Sequence, residues 1–303
     1  MNVIILDGYS INPGDISWKP IKDIAKFKCY DRSTPKEVLE RIKNVDGIFV
    51  SKCTIDKTAI NSAKNLKFIG VTATGYDNVD IEYAKKNDIA VFNVPAYSTE
   101  AVAQHTFALI MEITNHVGSY SNDIKQGRWY NSQDFLFYKD PLTLLHGKSL
   151  GIIGYGNIGK RVSNIAKAFG MKINIYSSNK ESAIKSDILT LHCPATKENI
   201  GFVNEKFISN MKDGAILINT ARGSLLNNLD VSQALKNGKL SAVGLDVLDT
   251  EPPETNHPLV ETNNCFITPH IAWSPKEMRL LVIDTCAKNL KYFLTGRDTN
   301  RIV

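Results

Sequence analysis

The stretch Ser149-Leu150-Gly151-Ile152-Ile153-Gly154-Tyr155-Gly156-Asn157-Ile158-Gly159-Lys160 decides the fold. Ser149–Ile153 reads as a buried strand, and Ile158, Val162, Ile165 and Phe169 then recur at helical spacing up to a terminating Gly170. A G-x-G-x-x-G pattern alone says little in a chain with 19 glycines. Between a strand that runs directly into it and a helix that leaves directly from it, the same pattern predicts a dinucleotide-phosphate loop. Gly154 permits the tight turn, Gly156 lets backbone approach a pyrophosphate, and Gly159 lets helix and strand pack closely. Amide N–H groups and the positive helix end then hold the phosphates. Gly154, Tyr155, Gly156, Asn157, Ile158 and Gly159 are therefore candidate cofactor-binding residues.

The next feature of such a site is an acid about 20 residues on, accepting hydrogen bonds from the adenine ribose. It is absent: Tyr176 ends the second strand and Ser177-Ser178-Asn179-Lys180 comes next. An Asp there repels a 2′-phosphate, whereas a Ser beside a Lys can accept one. Ser177 and Lys180 therefore tilt the expected cofactor toward NADP(H). The alternative is NAD(H), with Ser177 bonding a ribose hydroxyl and Lys180 merely solvated.

Downstream, Lys172–Tyr176, Asp187–His192, Gly214–Asn219, Ala242–Val247 and Cys265–Thr268 read as strands, mostly with helical intervals between. Upstream, Val3–Leu6, Gly47–Val50 and Phe68–Val71 are strands, with helices around Pro35–Lys43 and Thr58–Lys64. After a break at Val94-Pro95-Ala96-Tyr97, a long helix runs from a Ser98/Thr99 cap to about Val117. The last helix carries a capping-box pattern, Ser274-Pro275-Lys276-Glu277, and extends to Gly296. Alternating strands and helices call for an α/β protein with doubly wound parallel sheets, and 303 residues call for two domains. Residues 118–147 are less regular and hold Trp129, Tyr130, Phe135, Phe137 and Tyr138. That segment is either a loop folded over its own core or a subunit contact or pocket cover.

Composition narrows the class. At 43% hydrophobic and 22% charged residues, the chain is ordinary for a soluble globular protein. Apolar runs such as Ala215–Ile218 are strand-sized, so no membrane span is expected, and the N-terminus lacks a signal-peptide pattern. The five cysteines are scattered and never spaced C-x-x-C, which argues against a disulfide framework or zinc site and for a reducing cytoplasm. A net charge of +5 with dispersed basic residues suits anionic small molecules and argues against nucleic-acid binding. No metal constellation is visible.

Ligands of an open parallel sheet sit beyond the carboxyl ends of its strands. Beyond the strand ends here come Gly154, then His192-Cys193-Pro194, Thr220-Ala221-Arg222-Gly223, Asp246 with Glu251-Pro252-Pro253, and Pro269-His270. His192, Cys193, Pro194, Thr220, Ala221 and Asp246 are accordingly placed against the cofactor, Cys193 as pocket wall rather than nucleophile. An Arg, a Glu and a His beside a dinucleotide suit ketone reduction. His270 can give a proton to the carbonyl oxygen as hydride arrives. Glu251 can orient the imidazole and stabilise its charged form, and Arg222 can clamp a carboxylate with two parallel hydrogen bonds. Each has a structural alternative: there are six histidines, and only its place in the chain promotes His270.

The ordered motifs GYGNIGK, LHCP, INTARG, GLDVLDTEPP and ITPHIAW resemble the D-isomer-specific 2-hydroxyacid dehydrogenases. The N-terminal stretches LDGYSINPGDISW, GVTATGYDNVD and VPAYSTEAVAQHTFAL resemble the glycerate dehydrogenase, or hydroxypyruvate reductase, branch. The resemblance covers essentially the whole chain. It implies a catalytic triad of Arg222, Glu251 and His270, and a substrate carboxylate held at Thr74 and Gly75, with Lys52 also placed among the substrate contacts. Trp273 would limit pocket size to small acids such as hydroxypyruvate or glyoxylate. It further implies two Rossmann-like domains: a discontinuous substrate domain of 1–97 plus 275–303, a dinucleotide domain of 98–274, and a homodimer joined through the latter. Ser177 departs from the family's ribose-binding Asp, and the Tyr176–Asp187 stretch is shorter than usual, as if a strand and helix were trimmed. Asn227 and Asn228 stand where the family often carries an acid. The expected activity is reduction of a small 2-keto acid to the D-2-hydroxy acid. The alternatives are another 2-keto acid such as pyruvate, or a non-enzymatic dinucleotide-sensing regulator.

Overall fold

A computed structural model describes residues 1–303. Contacts divide them into two compact units, Met1–Ser98 with Ser274–Val303, and Thr99–Trp273. The first is built on five strands: β1 (Asn2–Ile5), β2 (Lys26–Cys29), β3 (Gly47–Val50), β4 (Phe68–Val71) and β5 (Ala90–Phe92). They pair in parallel in the order β2-β1-β3-β4-β5. That is a doubly wound sheet with its switch point between β1 and β3. Ile4, Ile48, Val50, Ile69, Val71 and Val91 bury one face beneath Val38, Ala59 and Ile60 of the helices Pro35–Arg41 and Lys57–Ser62.

The second unit carries β6 (Ser149–Ile153), β7 (Lys172–Ile175), β8 (Ile188–Leu191), β9 (Ala215–Asn219), β10 (Leu240–Leu245) and β11 (Cys265–Ile267). These too are all parallel, in the order β11-β10-β9-β8-β6-β7. Successive residues feed opposite cores. Leu150, Ile152, Ile188, Ile216 and Ile218 pack with Phe107, Ile110 and Val162, while Ile153, Leu189, Leu191, Leu217 and Leu245 pack with Val203, Val231 and Leu259. A sheet covered on both faces requires such unbroken apolar strands. Each fully buried Ile or Leu contributes roughly 1.5–3 kcal/mol relative to exposure.

β7 is the edge of this sheet: after it come only the five-residue helix Lys180–Ile184 and then β8. The third strand of a full six-stranded dinucleotide fold, which would lie outside β7, is missing.

Several expectations shift. β2 and β5 carry no strong sequence signal, being four and three residues long. The long helix covers Thr99–Asn115; His116, in the left-handed region at φ +51°, turns the chain into a separate helix, Val117–Lys125. The last helix spans Lys276–Leu294 with Pro275 rather than Ser274 at the cap position, so the expected capping box is one residue out of register. A complete capping box sits instead at Thr34 and Glu37. No helix is long and apolar enough to cross a membrane.

Candidate active site

The glycine loop leaves β6 as the sequence predicts. Gly154 is left-handed at φ +95°, and a Cβ there would lie 2.4 Å from the Cys193 amide nitrogen. The loop thus rests directly on the His192-Cys193 backbone at the end of β8. A Cβ on Gly159 would meet the Gly154 carbonyl oxygen at 2.1 Å, which is the close helix–strand approach. At Gly156 a Cβ would meet nothing within 4 Å. Gly156 is also the cap residue of the 12-residue helix Asn157–Ala168, and no side chain caps that end. An open helix N-terminus with an unfilled glycine is a cradle that fits a pyrophosphate.

Around this loop the neighbours are less alike than expected. Burial pushes the His192 imidazole down to about 3, so the ring is neutral. Its Nε2 lies 3.0 Å from Thr190 Oγ1, and its Nδ1 is buried without a partner. Burial raises the Cys193 thiol, which suits a pocket wall rather than a nucleophile. Pro194, Ser177 and Lys180 are exposed to differing degrees, and the Lys180 ammonium sits 5.7 Å from the Tyr176 ring centroid. Two residues expected against the cofactor have their side chains committed to the fold. Thr106 Oγ1 donates to Val102 O at 2.8 Å, so the Thr220 hydroxyl, 3.1 Å away, is the one that donates to Thr106. Asp246 is 1% exposed, and its carboxylate accepts from Thr268 Oγ1 (2.6 Å) and from the amides of Ile271 (2.9 Å) and Ala272 (2.8 Å).

The Asp246 contacts shape the segment that carries His270. Held on one side by Thr268 and on the other by Ile271 and Ala272, His270 adopts φ +55°, and its amide donates to Thr268 O at 2.9 Å. A non-glycine residue there stores roughly 1–3 kcal/mol, which the surrounding hydrogen bonds must offset. The imidazole meets Glu251: Nδ1 lies 2.6 Å from Oε2. The other Glu251 oxygen accepts from the Leu248 amide at 3.1 Å, so the carboxylate is fixed at both ends. A carboxylate can only accept, so His270 Nδ1 carries the hydrogen and Nε2 takes no part in this pair.

Arg222 opens from the turn after β9. Asn219, fully buried at the strand end, accepts from the Ala221 amide (3.0 Å) and donates to Arg222 O (2.8 Å). Nη1 of Arg222 donates to Ala221 O at 2.9 Å. A Cβ on Gly223 would fall 1.9 Å from the Leu248 carbonyl carbon. The Arg222 turn is therefore packed on the same Leu248 backbone that Glu251 grips. Asn219 was missed from sequence; a lone amide ending the apolar run Ala-Ile-Leu-Ile was its only signal.

The asparagines after this turn have structural duties. Asn227 caps the helix Asn228–Lys236, accepting from the Asp230 amide. Asn228 Nδ2 lies 3.3 Å from His257 Nε2. His257 accepts the Leu259 amide on Nδ1 and donates from Nε2 to Asp249 at 2.9 Å. Burial would raise the Asp249 carboxyl, but hydrogen bonds from His257 and Asn228 outweigh it and hold it below its ordinary value.

In the first unit, Thr74 and Gly75 lie just past the carboxyl end of β4. Thr74 Oγ1 donates to Val94 O and Thr74 O accepts from Asn93 Nδ2, both at 2.8 Å. Lys52 lies just past β3, its amide donating to Asp7 at 2.6 Å. Trp273 is half-buried. No cluster of three or more His, Cys, Asp or Glu side chains is placed to hold a metal ion.

A glycine loop on a helix N-terminus and a carboxylate-braced imidazole, both at the carboxyl edge of one parallel sheet, define a dinucleotide-dependent oxidoreductase. Comparison with known proteins narrows that class. Residues 107–272 match the family model described as D-isomer specific 2-hydroxyacid dehydrogenase, NAD binding domain. The chain is 40% identical to a hydroxypyruvate reductase of Blautia hydrogenotrophica, over 99% of each chain. Among solved structures it is similar to a D-lactate dehydrogenase from Aquifex aeolicus complexed with NAD and lactic acid, at 29% identity and TM-score 0.84 over 100% of this chain and 99% of that one. It is also similar to an acyclic imino acid reductase in complex with NADPH and D-Arg, at 28% identity and TM-score 0.85 over the whole of both chains. The chain belongs to the D-isomer specific 2-hydroxyacid dehydrogenase family.

Proposed function

We propose that this enzyme reduces hydroxypyruvate to the D-2-hydroxy acid, or glyoxylate to its achiral hydroxy acid, with His270 as proton donor. The observation that carries this is the 2.6 Å His270–Glu251 pair at the end of a dinucleotide-binding sheet. A reduced nicotinamide dinucleotide, when bound, supplies the hydride. The remaining work falls to the chain. The glycine loop and the Asn157–Ala168 helix end hold the phosphates. Glu251 stabilises the charged imidazole and aims Nε2, from which the proton passes to the developing alkoxide. Arg222 binds the substrate carboxylate bidentately. Residues 1–98 with 274–303 form the substrate-binding unit, with Thr74, Gly75 and Lys52 among its contacts, and Trp273 limits the substrate to small acids. The similarity to a hydroxypyruvate reductase supports the choice of acid.

For the cofactor we favour NADP(H): Ser177 and Lys180, just past the end of β7, present a hydroxyl and a cation to a 2′-phosphate, with Ser177 in place of the acid that would repel it. The same proposal includes a homodimer joined through the dinucleotide domain, with the aromatic segment 118–147 at the contact, and a reducing cytoplasmic setting for five free cysteines. The test is the loss of reduced-nicotinamide absorbance with hydroxypyruvate, run with NADH and NADPH in parallel. Turnover that Arg222→Ala nearly abolishes is the expected result. A fully active Arg222→Ala, or no turnover with hydroxypyruvate or glyoxylate, would sink the assignment.

A further inference from the structure

His105 lies on the helix Thr99–Asn115, whose inner face is largely apolar: Ala103, Phe107, Ile110 and Ile113 enter the core, and the buried Thr106 and Thr114 return their hydroxyls to the helix backbone. Its ring reaches past that core to the end of the sheet, where Nε2 lies 2.8 Å from Thr268 Oγ1 and 3.5 Å from Asp246 Oδ1. Counting hydrogens fixes the direction of each bond. Thr268 has a single hydroxyl hydrogen, and Asp246 Oδ1, 2.6 Å away, is a carboxylate oxygen that can only accept it. The hydrogen between His105 and Thr268 must then come from the imidazole, so His105 Nε2 is a donor.

We propose that His105 is a positioning residue for His270: by donating to Thr268 it locks the hydroxyl that ties Asp246 to the His270 segment. That role rests on the assignment of His270 as proton donor. Asp246 spends its other contacts on the Ile271 and Ala272 amides, so one buried carboxylate holds the chain on both sides of His270. Without the His105 hydrogen bond, Thr268 Oγ1 can turn toward its second acceptor, Leu245 O, at 3.3 Å. Asp246 then loses its hydroxyl partner, and the left-handed His270 loses the clamp that holds it against Glu251. A proton donor displaced by a fraction of an ångström costs rate while leaving substrate affinity nearly intact.

The test compares wild type with His105→Leu, His105→Gln, Thr268→Val and His270→Gln, reading kcat, both KM values, the solvent isotope effect and Tm with hydroxypyruvate and the preferred cofactor. His105→Leu should lower kcat about tenfold or more, with both KM values within about threefold and a larger solvent isotope effect. His105→Gln, whose amide can still donate, should recover most of that loss. Thr268→Val should match His105→Leu, and the double variant should be no worse than either, which keeps the test open if one variant folds poorly. An unchanged kcat in His105→Leu, a loss carried by KM, or a Gln variant no better than Leu would each overturn the positioning role. A fully active His270→Gln would instead remove the proton-donor assignment itself.

Discussion

At the scale of single residues, the site depends on which atoms are already committed. Glu251 divides its oxygens between the Leu248 amide and His270, so its charge is spent on the imidazole and its place is set by backbone. Glu251→Gln preserves the shape but removes the charge that stabilises a protonated ring. It should lower kcat/KM by about two orders of magnitude or more, with a melting temperature near wild type. A kcat/KM within a few-fold of wild type in steady-state assays would show that the pair is structural. The glycines divide in the same way. Gly156 faces open space and Gly159 faces a carbonyl oxygen at 2.1 Å. Gly156→Ala should therefore fold normally and raise KM for the dinucleotide at least about tenfold, because the new methyl fills the phosphate cradle. Gly159→Ala should instead lower stability, by roughly 1–3 kcal/mol in denaturant unfolding, since backbone cannot yield as a side chain can. Equal effects of the two substitutions on stability would contradict that division.

At the scale of elements, the strands deliver the chemistry and the turns after them aim it. The apolar runs of β3, β4, β6, β8 and β9 were legible because both faces of a covered sheet must be filled, and the strand ends then pointed to Arg222, Glu251 and His270. Short edge strands were not legible: β2 reads Lys-Phe-Lys-Cys and owes its conformation to pairing with β1 rather than to its own pattern. The side-chain commitments of Thr220 and Asp246 were equally hidden, because a polar residue at a strand end looks the same whether it faces a ligand or braces a neighbouring segment. His192 shows what such hidden contacts do to stability. In the folded protein its imidazole titrates at about 3, whereas an unfolded histidine titrates near 6.5. Above pH 6.5 neither state is charged and nothing is lost. As pH falls below 6.5 the unfolded chain binds a proton that the folded one refuses, so stability declines until pH approaches 3. Melting temperatures taken from pH 7 to pH 5 should fall in the wild type and fall less in His192→Asn. That window lies above the range where Asp187 and Asp249, whose folded forms hold their protons less tightly, begin to contribute. Identical slopes in the two proteins would remove His192 from the account.

At the scale of the whole molecule, the segment beyond the helix Val117–Lys125 bears on assembly. Part of it packs locally: the Phe137 ring lies 5.5 Å from Tyr120, with the Arg128 guanidinium 4.7 Å from its centroid. The rest does not. Tyr130 and Phe135 are each 86% exposed, Tyr138 76% and Leu144 75%, all within fifteen residues of sequence. A run of apolar side chains left in water on a monomer carries a free-energy cost that a second subunit can relieve, and aromatic residues are favoured at such contacts. Trp129 donates its indole hydrogen to Phe135 O at 3.0 Å, which holds the segment in a fixed shape instead of letting it collapse. The proposed homodimer should therefore elute at about twice the chain mass. Phe135→Ser with Tyr138→Ser should shift light-scattering mass toward the monomer while leaving the far-ultraviolet circular dichroism unchanged, because neither ring belongs to a buried core. Since the His270–Glu251 pair of the proposed mechanism and the glycine loop both lie within the Thr99–Trp273 unit of one chain, that monomer should keep measurable turnover. A double variant that stays dimeric would place the subunit contact elsewhere, and a wild type that is monomeric at micromolar concentration would leave these aromatics without the role assigned to them.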